Sequence, residues 1–227
     1  MLIEVIGTSL SDVLDAEKYH ADRVELCQSM MESGLTPSYG LIKSAVEAVD
    51  IPINVMVRPH SNSFVYDEHD LNIMREDIRA IKSLGANGIV IGSLTDRGTV
   101  DEDVLQRLLD EADGLEVTFH RAFDFVRDQK EALETILTYE QITTILTAGG
   151  DGTASEFVEN LVELHDRTKD THLTIMPGNG LRVDELKPFY QAIQPKALHF
   201  GTGIRIDQTY ANGISEEQIK KIREITC

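Results

Sequence analysis

Glu116 to Asp124 reads Glu-Val-Thr-Phe-His-Arg-Ala-Phe-Asp, and this stretch predicts how the whole chain is built. Its first residues alternate, with Val117 and Phe119 on one side of a predicted strand and Thr118 and His120 on the other. The stretch then ends in an imidazole, a guanidinium and a carboxylate. A strand that carries polar groups at its C-terminal end is typical of the binding or active site of an α/β protein.

The same design recurs along the chain, because predicted strands alternate with predicted helices. The strands are predicted at 2–7, 22–27, 53–58, 88–92, 116–120, 143–147, 172–176 and 197–200. Eight βα units in succession predict a closed parallel (βα)8 barrel, the TIM barrel, as one domain over residues 1–227, because closure removes both exposed sheet edges. A doubly wound open sheet is the alternative. Helices are expected at 154–167 and 183–193, and Asp128 with Glu131 resembles a capping box.

Composition excludes several classes of partner. The formal net charge of −18 repels phosphate backbones and anionic lipids, so we expect neither nucleic acid nor a membrane surface as a partner. No apolar run approaches the roughly 20 residues of a transmembrane helix, and the start of the chain lacks the cationic residues of a secretory signal. We therefore expect a cytoplasmic protein, with Cys27 and Cys227 as reduced thiols.

Several strands carry one polar face, which must point into the barrel because the aliphatic face meets the helices. The residues predicted to share this lumen are Glu4, Glu25, Cys27, Asn54, Arg58, Thr118, His120 and His199. Isolated charges there would cost several kcal/mol each, so they must pair, bind a ligand or contact water at an open mouth. Two alternatives stay open: Glu4, Glu25 and Arg58 could form a structural ion network, and His199 could be a satisfied core histidine.

The candidate active site lies at the C-terminal strand ends, where barrels place their chemistry. His120 is the candidate general acid or base, oriented by Asp124 or Glu25. Arg58 and Arg121 are candidate anion clamps, and the proposed catalytic set is His120, Glu25, Arg58 and Asp124. The loop from Pro59 to Asp67 exceeds the roughly 2 to 6 residues usual between strand and helix, which predicts a lid or ligand loop.

Three glycine-bearing loops follow the last three predicted strands. The glycines in question are Gly149, Gly150, Gly178, Gly180, Gly201 and Gly203. Barrels often use backbone N–H groups in the loops after strands seven and eight to hold a phosphate, so an anion site is predicted here. Plain turn geometry is the alternative, and no loop matches a P-loop or a dinucleotide fingerprint.

Eight short motifs, taken in order, resemble one known family. They are Arg23-Val-Glu-Leu-Cys27, Gly34-Leu-Thr-Pro-Ser-Tyr-Gly40, Val57-Arg-Pro59, Phe64-Val-Tyr66, Gly88-Ile-Val-Ile-Gly92, Thr118-Phe-His-Arg-Ala-Phe-Asp124, Ile145-Leu-Thr-Ala-Gly-Gly150 and Ile175-Met-Pro-Gly-Asn-Gly180. Together they look like the CutC family of copper homeostasis proteins. The resemblance implies a cytoplasmic (βα)8 barrel, a homodimer or larger homo-oligomer, and copper binding through cysteine, for which Cys27 carries over.

Two functions therefore stay open at the level of sequence. The first is a copper-binding protein of copper homeostasis, with Cu(I) held at Cys27 near the sulfur atoms of Met30 and Met31. The second is an enzyme or sensor for a small phosphorylated metabolite in the barrel mouth. A barrel without activity that serves as an interaction scaffold is a third possibility.

Overall fold

Eight parallel strands alternate with eight helices in the computed structural model, which describes residues 1–226; Cys227 lies outside the described residues. The strands are β1 Leu2–Gly7, β2 Arg23–Leu26, β3 Ile53–Met56, β4 Gly88–Ile91, β5 Glu116–Phe119, β6 Ile142–Thr147, β7 Thr174–Pro177 and β8 Ala197–Phe200. The helices are α1 Leu10–Lys18, α2 Tyr39–Ala48, α3 Glu68–Ser83, α4 Glu102–Glu111, α5 Gln129–Ile136, α6 Val158–Thr168, α7 Leu186–Ile193 and α8 Glu216–Thr226.

The strands form one nearly closed barrel, which confirms the predicted TIM-barrel fold. Hydrogen-bonded neighbours follow the order β8, β1, β2 and onward to β7, and every pairing in this order is parallel. β7 and β8 stand at the two ends of the order and contact each other at the seam. Within residues 1–226, none of the helices combines the length and the apolar character needed to cross a bilayer.

The alternation of the strands separates two kinds of core. The large outer core lies between strands and helices and includes Phe119, Phe123 and Phe200 among its largest fully buried side chains. Burying such a side chain stabilises the fold by about 1.5–3 kcal/mol. Smaller apolar clusters lie inside the barrel, one of them around Cys27 and Met56. Apolar and polar side chains therefore share the interior of the barrel.

Two predicted helices begin later than the sequence suggested. The helix expected at 154–167 is interrupted at Phe157, whose φ of −120° and ψ of 30° end a short 3₁₀ turn before α6 begins. The helix expected at 183–193 begins at Leu186, since a start at 183 would place Pro188 inside the helix, where it lacks a donor and clashes. In α7, Pro188 lies in the first turn, which tolerates it.

Of the capping box predicted before α5, the structure keeps Asp128 as the cap but not the role of Glu131. The Asp128 carboxylate accepts hydrogen bonds from the N–H groups of Lys130 and Glu131, so it caps α5. Glu131 does not close a capping box, because its side chain pairs with Arg127 instead. β7 also begins at Thr174, two residues after the predicted start at His172.

A buried ion pair ties the segment after β8 to α1. Arg205 is 2% exposed and donates to both carboxylate oxygens of Asp12, at 3.0 and 2.9 Å. It also donates to the backbone carbonyls of Ile6 and Asn212 and stacks on Tyr210, 4.9 Å from the ring centre. Burial works to raise the pKa of Asp12, but Arg205 and Thr8 outweigh it and hold that pKa below its ordinary value.

We predict that Arg205→Ala lowers the free energy of unfolding by about 3–5 kcal/mol, because it leaves the Asp12 carboxylate buried without its partner. Urea denaturation measures the change. The matched control is Lys43→Ala, which removes the exposed pair with Glu47 and should change the stability by less than about 0.5 kcal/mol. Equal effects of the two substitutions would contradict the prediction.

Candidate functional site

A cavity of about 750 Å³ opens at the C-terminal ends of the strands, where the sequence predicted the site. Eight of the predicted site residues line it: Glu25, Cys27, Arg58, His120, Arg121, Gly180, Gly201 and Gly203. His199 also lines it, and so do residues 61–65 of the predicted ligand loop. Four predicted residues lie outside the lining: Asp124, Gly149, Gly150 and Gly178.

Four charged or ionisable residues form a ladder beneath the cavity: Glu4, Arg23, Glu25 and His199. Glu25 and His199 also line the cavity. In the strand register, Glu4 stands beside Arg23 of β2 and beside His199 of β8. Its carboxylate accepts from Arg23 Nε at 2.6 Å and pairs with His199 Nδ1 at 2.7 Å. The other ring nitrogen of His199 lies 3.6 Å from Glu25 Oε2. The network expected for Glu4, Glu25 and Arg58 is different in the structure: Glu4 pairs with Arg23 and His199, and Arg58 bonds to backbone carbonyls instead. Glu25 reaches the cavity lining.

The ladder divides its charge unequally between the two carboxylates. Burial works to raise the pKa of Glu4, but Arg23 and His199 outweigh it and lower that pKa below its ordinary value. Burial raises the pKa of Glu25 to about 7, and the Glu4 carboxylate adds to this effect. Burial works to lower the pKa of His199, but Glu25 and Glu4 raise it above its ordinary value. Glu25 therefore changes charge near neutral pH.

Glu25 is also incompletely hydrogen-bonded. Its Oε1 atom is buried and has no hydrogen-bond partner within residues 1–226. A buried polar atom without a partner costs about 1–3 kcal/mol, which a ligand in the cavity can offset. The carboxyl group therefore combines an unsatisfied oxygen with a pKa suited to general acid–base chemistry.

His120 is held as a neutral hydrogen-bond donor, and its expected role as a general acid or base stays a prediction. Its Nδ1 accepts the N–H of Ala122 at 3.1 Å, so the proton of the neutral ring lies on Nε2. That Nε2 is buried and has no partner among the described residues. Burial, with help from Arg58 and Arg121, lowers the pKa of His120 to about 3. The ring also packs on Phe64, with 5.1 Å between ring centres.

Asp124 positions Arg121 rather than His120, which corrects one expectation. Its carboxylate accepts from Arg121 Nε at 2.8 Å, from the N–H of Ala148 at 3.1 Å and from the hydroxyl of Thr147. The short 3₁₀ turn Arg121–Phe125 brings Arg121 and Asp124 together. Arg121 remains partly exposed and lines the cavity, so its terminal nitrogens are available to an anion.

Arg58 is tied to the protein rather than free to clamp an anion. One terminal nitrogen donates to the carbonyls of Glu32 and Gly34, at 2.7 and 3.2 Å, and the guanidinium stacks 4.8 Å from the ring centre of Phe64. Its Nε is buried without a partner within residues 1–226. Arg58 therefore fixes two loops of the rim and supplies positive charge beside His120.

The glycine loops have different roles. A Cβ at Gly149 or Gly150 would lie within 3 Å of the Phe157 side chain, so these glycines allow a loop to pack on α6. A Cβ at Gly178 would approach Leu146 and His199, at 2.5 and 3.1 Å. None of the three lines the cavity, which corrects their assignment as anion-binding residues.

The loop after β8 keeps the features of an anion site. Gly201, Thr202 and Gly203 all line the cavity. Within the described chain, the backbone N–H groups of these three residues donate to no acceptor. Successive N–H groups of this kind attract anions, phosphate above all.

Sulfur atoms gather on one wall of the cavity. The Cys27 thiol is fully buried and lies 3.2 Å from the thioether sulfur of Met30, and Met56 belongs to the same apolar cluster. Burial raises the pKa of the thiol well above its ordinary value, and Glu25 adds to this effect. Within residues 1–226 there is no group of three or more His, Cys, Asp or Glu side chains that could hold a metal ion. The soft donors are thus one thiol and neighbouring thioethers.

A family model described as the CutC family matches residues 1–204 of the chain. The chain belongs to the CutC family. It is 39% identical over 180 residues to the human protein named copper homeostasis protein cutC homolog, which covers 79% of this chain and 65% of that protein. The chain therefore spans slightly less than two thirds of the human protein's length.

Further CutC relatives agree over most of the chain. A family protein CutC of Pasteurella multocida (strain Pm70) is 36% identical over 228 residues, covering 99% of this chain and 93% of that protein. The crystal structure of a CutC protein from Streptococcus agalactiae matches with a TM-score of 0.82 and 31% identity, over 89% of this chain and 98% of that one. These likenesses agree with the family resemblance derived from the sequence motifs.

Two residues complete the site of this CutC-family barrel without having been singled out from sequence. Arg23 lies two residues before Glu25 on β2, so both side chains point to the same face of the strand. The register between β1 and β2 places Arg23 beside Glu4. Tyr210 lines the cavity from the segment after β8, and a Cβ at Gly201 would lie 2.3 Å from its hydroxyl. No periodic pattern marks Tyr210, since it belongs to no strand or helix.

We predict that Glu25→Gln raises the free energy of unfolding, relative to the wild type, by more at pH 8 than at pH 5. The raised pKa means that the folded state binds the Glu25 proton more tightly than the unfolded state, so Glu25 lowers stability as pH rises from about 4.5 to about 7. The stability gain of the variant should grow through this range by on the order of 3 kcal/mol, at about 1.36 kcal/mol for each unit of pKa.

Urea denaturation at the two pH values measures this difference. Glu131→Gln, at an exposed carboxylate on α5, is the control and should show no comparable growth with pH. A gain for Glu25→Gln that is the same at both pH values would contradict the assignment of a raised pKa to Glu25.

Proposed function

We propose that this CutC-family barrel binds a small phosphorylated metabolite in its mouth, as an enzyme or a sensor. A partly exposed Arg121 and the N–H groups of the β8 loop, which have no acceptor within residues 1–226, lie around one cavity, and this arrangement carries the proposal. Its volume of about 750 Å³ is within the range of small-molecule sites, about 300–1,000 Å³. With a net charge of −18, the protein needs such local donors to hold an anion.

The donors are fixed before any ligand enters. Asp124 holds Arg121 through Nε, which leaves the terminal nitrogens for the anion. Gly203 approaches the carbonyl of Leu181 so closely that a Cβ would lie 2.0 Å from that oxygen, so the β8 loop has no room for a side chain at this position. A preformed site loses less conformational entropy on binding than a flexible one does.

We predict that ribose 5-phosphate or a similar sugar phosphate raises the Tm of the protein, since a ligand of the folded state stabilises it by mass action. Arg121→Ala should weaken this binding at least about tenfold, because a charge-assisted hydrogen bond contributes about 1.5–3 kcal/mol. Thermal-shift titration measures both. Arg127→Ala, at an exposed arginine that does not line the cavity, is the matched control.

A second candidate function is Cu(I) binding in copper homeostasis. The names of the human and mouse relatives include copper homeostasis, and the contact of 3.2 Å between Cys27 and Met30 supplies two soft donors of the kind that Cu(I) prefers. Because the raised pKa keeps the thiol protonated near neutral pH, metal binding would have to release its proton. A cytoplasmic homodimer or larger homo-oligomer stays a prediction from the family resemblance, and light scattering of the purified chain tests its oligomeric part.

We predict that reduced protein binds Cu(I) and that Cys27→Ser weakens this binding at least tenfold, with a smaller loss in Met30→Leu. Competition with a chromophoric Cu(I) chelator measures the affinities. Met31→Leu is the matched control, because Met31 is the next residue and is 97% exposed. Equal affinities in all four proteins would rule out the sulfur pair as a copper site.

A further inference from the structure

The floor and wall of the cavity present two unsatisfied polar groups of opposite character. Glu25 Oε1 is an acceptor and His120 Nε2 is a donor, and both atoms are buried without a partner within residues 1–226. The residues themselves are only 2% and 3% exposed, and both line the same cavity. Each unsatisfied atom lowers the stability of the folded state, and a ligand that hydrogen-bonds to both atoms would remove this cost.

We propose that the cavity catalyses proton transfer at the carbon next to a carbonyl group of its phosphorylated ligand, with Glu25 as the general base and His120 as the donor to the carbonyl oxygen. This inference rests on the proposed binding function and adds a reaction and a substrate class to it. The class is phosphorylated hydroxy-aldehydes and hydroxy-ketones, whose hydroxyl-bearing carbon carries a proton made acidic by the neighbouring carbonyl.

The reaction balances without a further reactant. Glu25 takes the proton from the carbon, the electron pair of that C–H bond forms a C=C bond, and the carbonyl π electrons move to oxygen. The oxyanion accepts a hydrogen bond from His120 Nε2–H. Return of the proton from Glu25 to the neighbouring carbon, with transfer of the hydroxyl proton between the two oxygens, gives the isomeric carbonyl compound. Return to the first carbon gives exchange or inversion.

The surroundings suit each residue to its part. The Oε1 atom of Glu25 is buried and has no hydrogen-bond partner within residues 1–226, so it can accept a proton from a ligand in the cavity. A neutral imidazole stabilises an enolate by donating a hydrogen bond, and the N–H of Ala122 fixes the tautomer that can do so. Burial keeps the His120 ring neutral, and the neighbouring Arg58 adds to this effect by disfavouring a second positive charge.

His199 is a positioning residue in this scheme. Its Nε2 lies 3.6 Å from Glu25 Oε2, and its Nδ1 pairs with Glu4 at 2.7 Å. His199 therefore constrains Oε2 of Glu25, and Oε1, which has no partner within residues 1–226, is the oxygen that can accept the proton. Because His199 does not contact the reacting atoms, a substitution such as His199→Gln should shift the pH profile of the reaction rather than abolish the reaction.

Deuterium exchange tests the inference. The protein is incubated in D₂O with glyceraldehyde 3-phosphate, dihydroxyacetone phosphate, ribose 5-phosphate or glucose 6-phosphate, and NMR follows deuterium at the carbon next to the carbonyl. We expect wild-type protein to accelerate exchange in at least one compound that raises its Tm.

Glu25→Gln is expected to lower the exchange rate at least 100-fold and to retain the Tm shift, since the anion donors are elsewhere. Glu25→Asp, which withdraws the carboxylate by one methylene, should lower it at least tenfold. Glu131→Gln, at an exposed residue that does not line the cavity, should exchange at the wild-type rate.

The outcomes separate the inference from the binding proposal. A compound that raises the Tm without any exchange overturns the catalytic inference and leaves the binding function in place. Exchange that persists in Glu25→Gln overturns the role of Glu25. If none of the compounds raises the Tm, the binding proposal and the inference that rests on it both fail.

Discussion

The pairing of Glu4 with Arg23 and His199 inside the barrel is the interaction on which the rest of the structure depends. All three residues are at most 6% exposed, and separating any of them from its partners would leave a buried charge that costs several kcal/mol. The three residues come from β8, β1 and β2, so the pairing requires these strands in one register. A shift by one residue would turn Glu4 towards the helices and break every contact.

The same pairing creates the reactive group of the cavity. His199 faces two carboxylates, but it bonds to Glu4 at 2.7 Å and reaches only to 3.6 Å from Glu25. Glu4 also accepts a hydrogen bond from Arg23, so the cationic groups of this network stabilise the charge of Glu4 more than that of Glu25. Glu25 keeps the cost of burial with little compensation, which is why its pKa is raised to about 7. The interaction that stabilises the barrel thus leaves an imperfectly compensated carboxyl group at the cavity floor.

The sequence predicted which residues enter the lumen, because the alternation of a strand assigns a side to each side chain. It could not predict depth along the barrel, which depends on the register between strands. Glu4 and Glu25 have equivalent patterns, yet only Glu25 reaches the cavity, while Glu4 lies in the network beneath it. The barrel itself followed from the succession of eight βα units, and this coarse feature was correct although several element ends moved by one to four residues.

Hydrogen-bond partners were the least predictable part of the site. Spacing allowed Asp124 to reach either His120 or Arg121, and the 3₁₀ turn Arg121–Phe125 decided for the arginine. A glycine is equally compatible with binding an anion and with close packing. Gly149 serves close packing, because it lies against Phe157, eight residues later in the chain. No local sequence pattern predicts this contact.

The two functions considered for this barrel are physically linked, because Cys27 and Glu25 line one cavity. Copper binds the thiolate, and the Glu25 carboxylate opposes formation of that thiolate by raising the pKa of Cys27. A proton on Glu25 removes this opposition, and by reciprocity a thiolate at Cys27 favours the protonated form of Glu25. Since the pKa of Glu25 is about 7, its charge changes within the physiological range and alters the conditions for either ligand. An organic anion and a metal ion would therefore each meet a cavity whose affinity depends on the protonation of one carboxyl group.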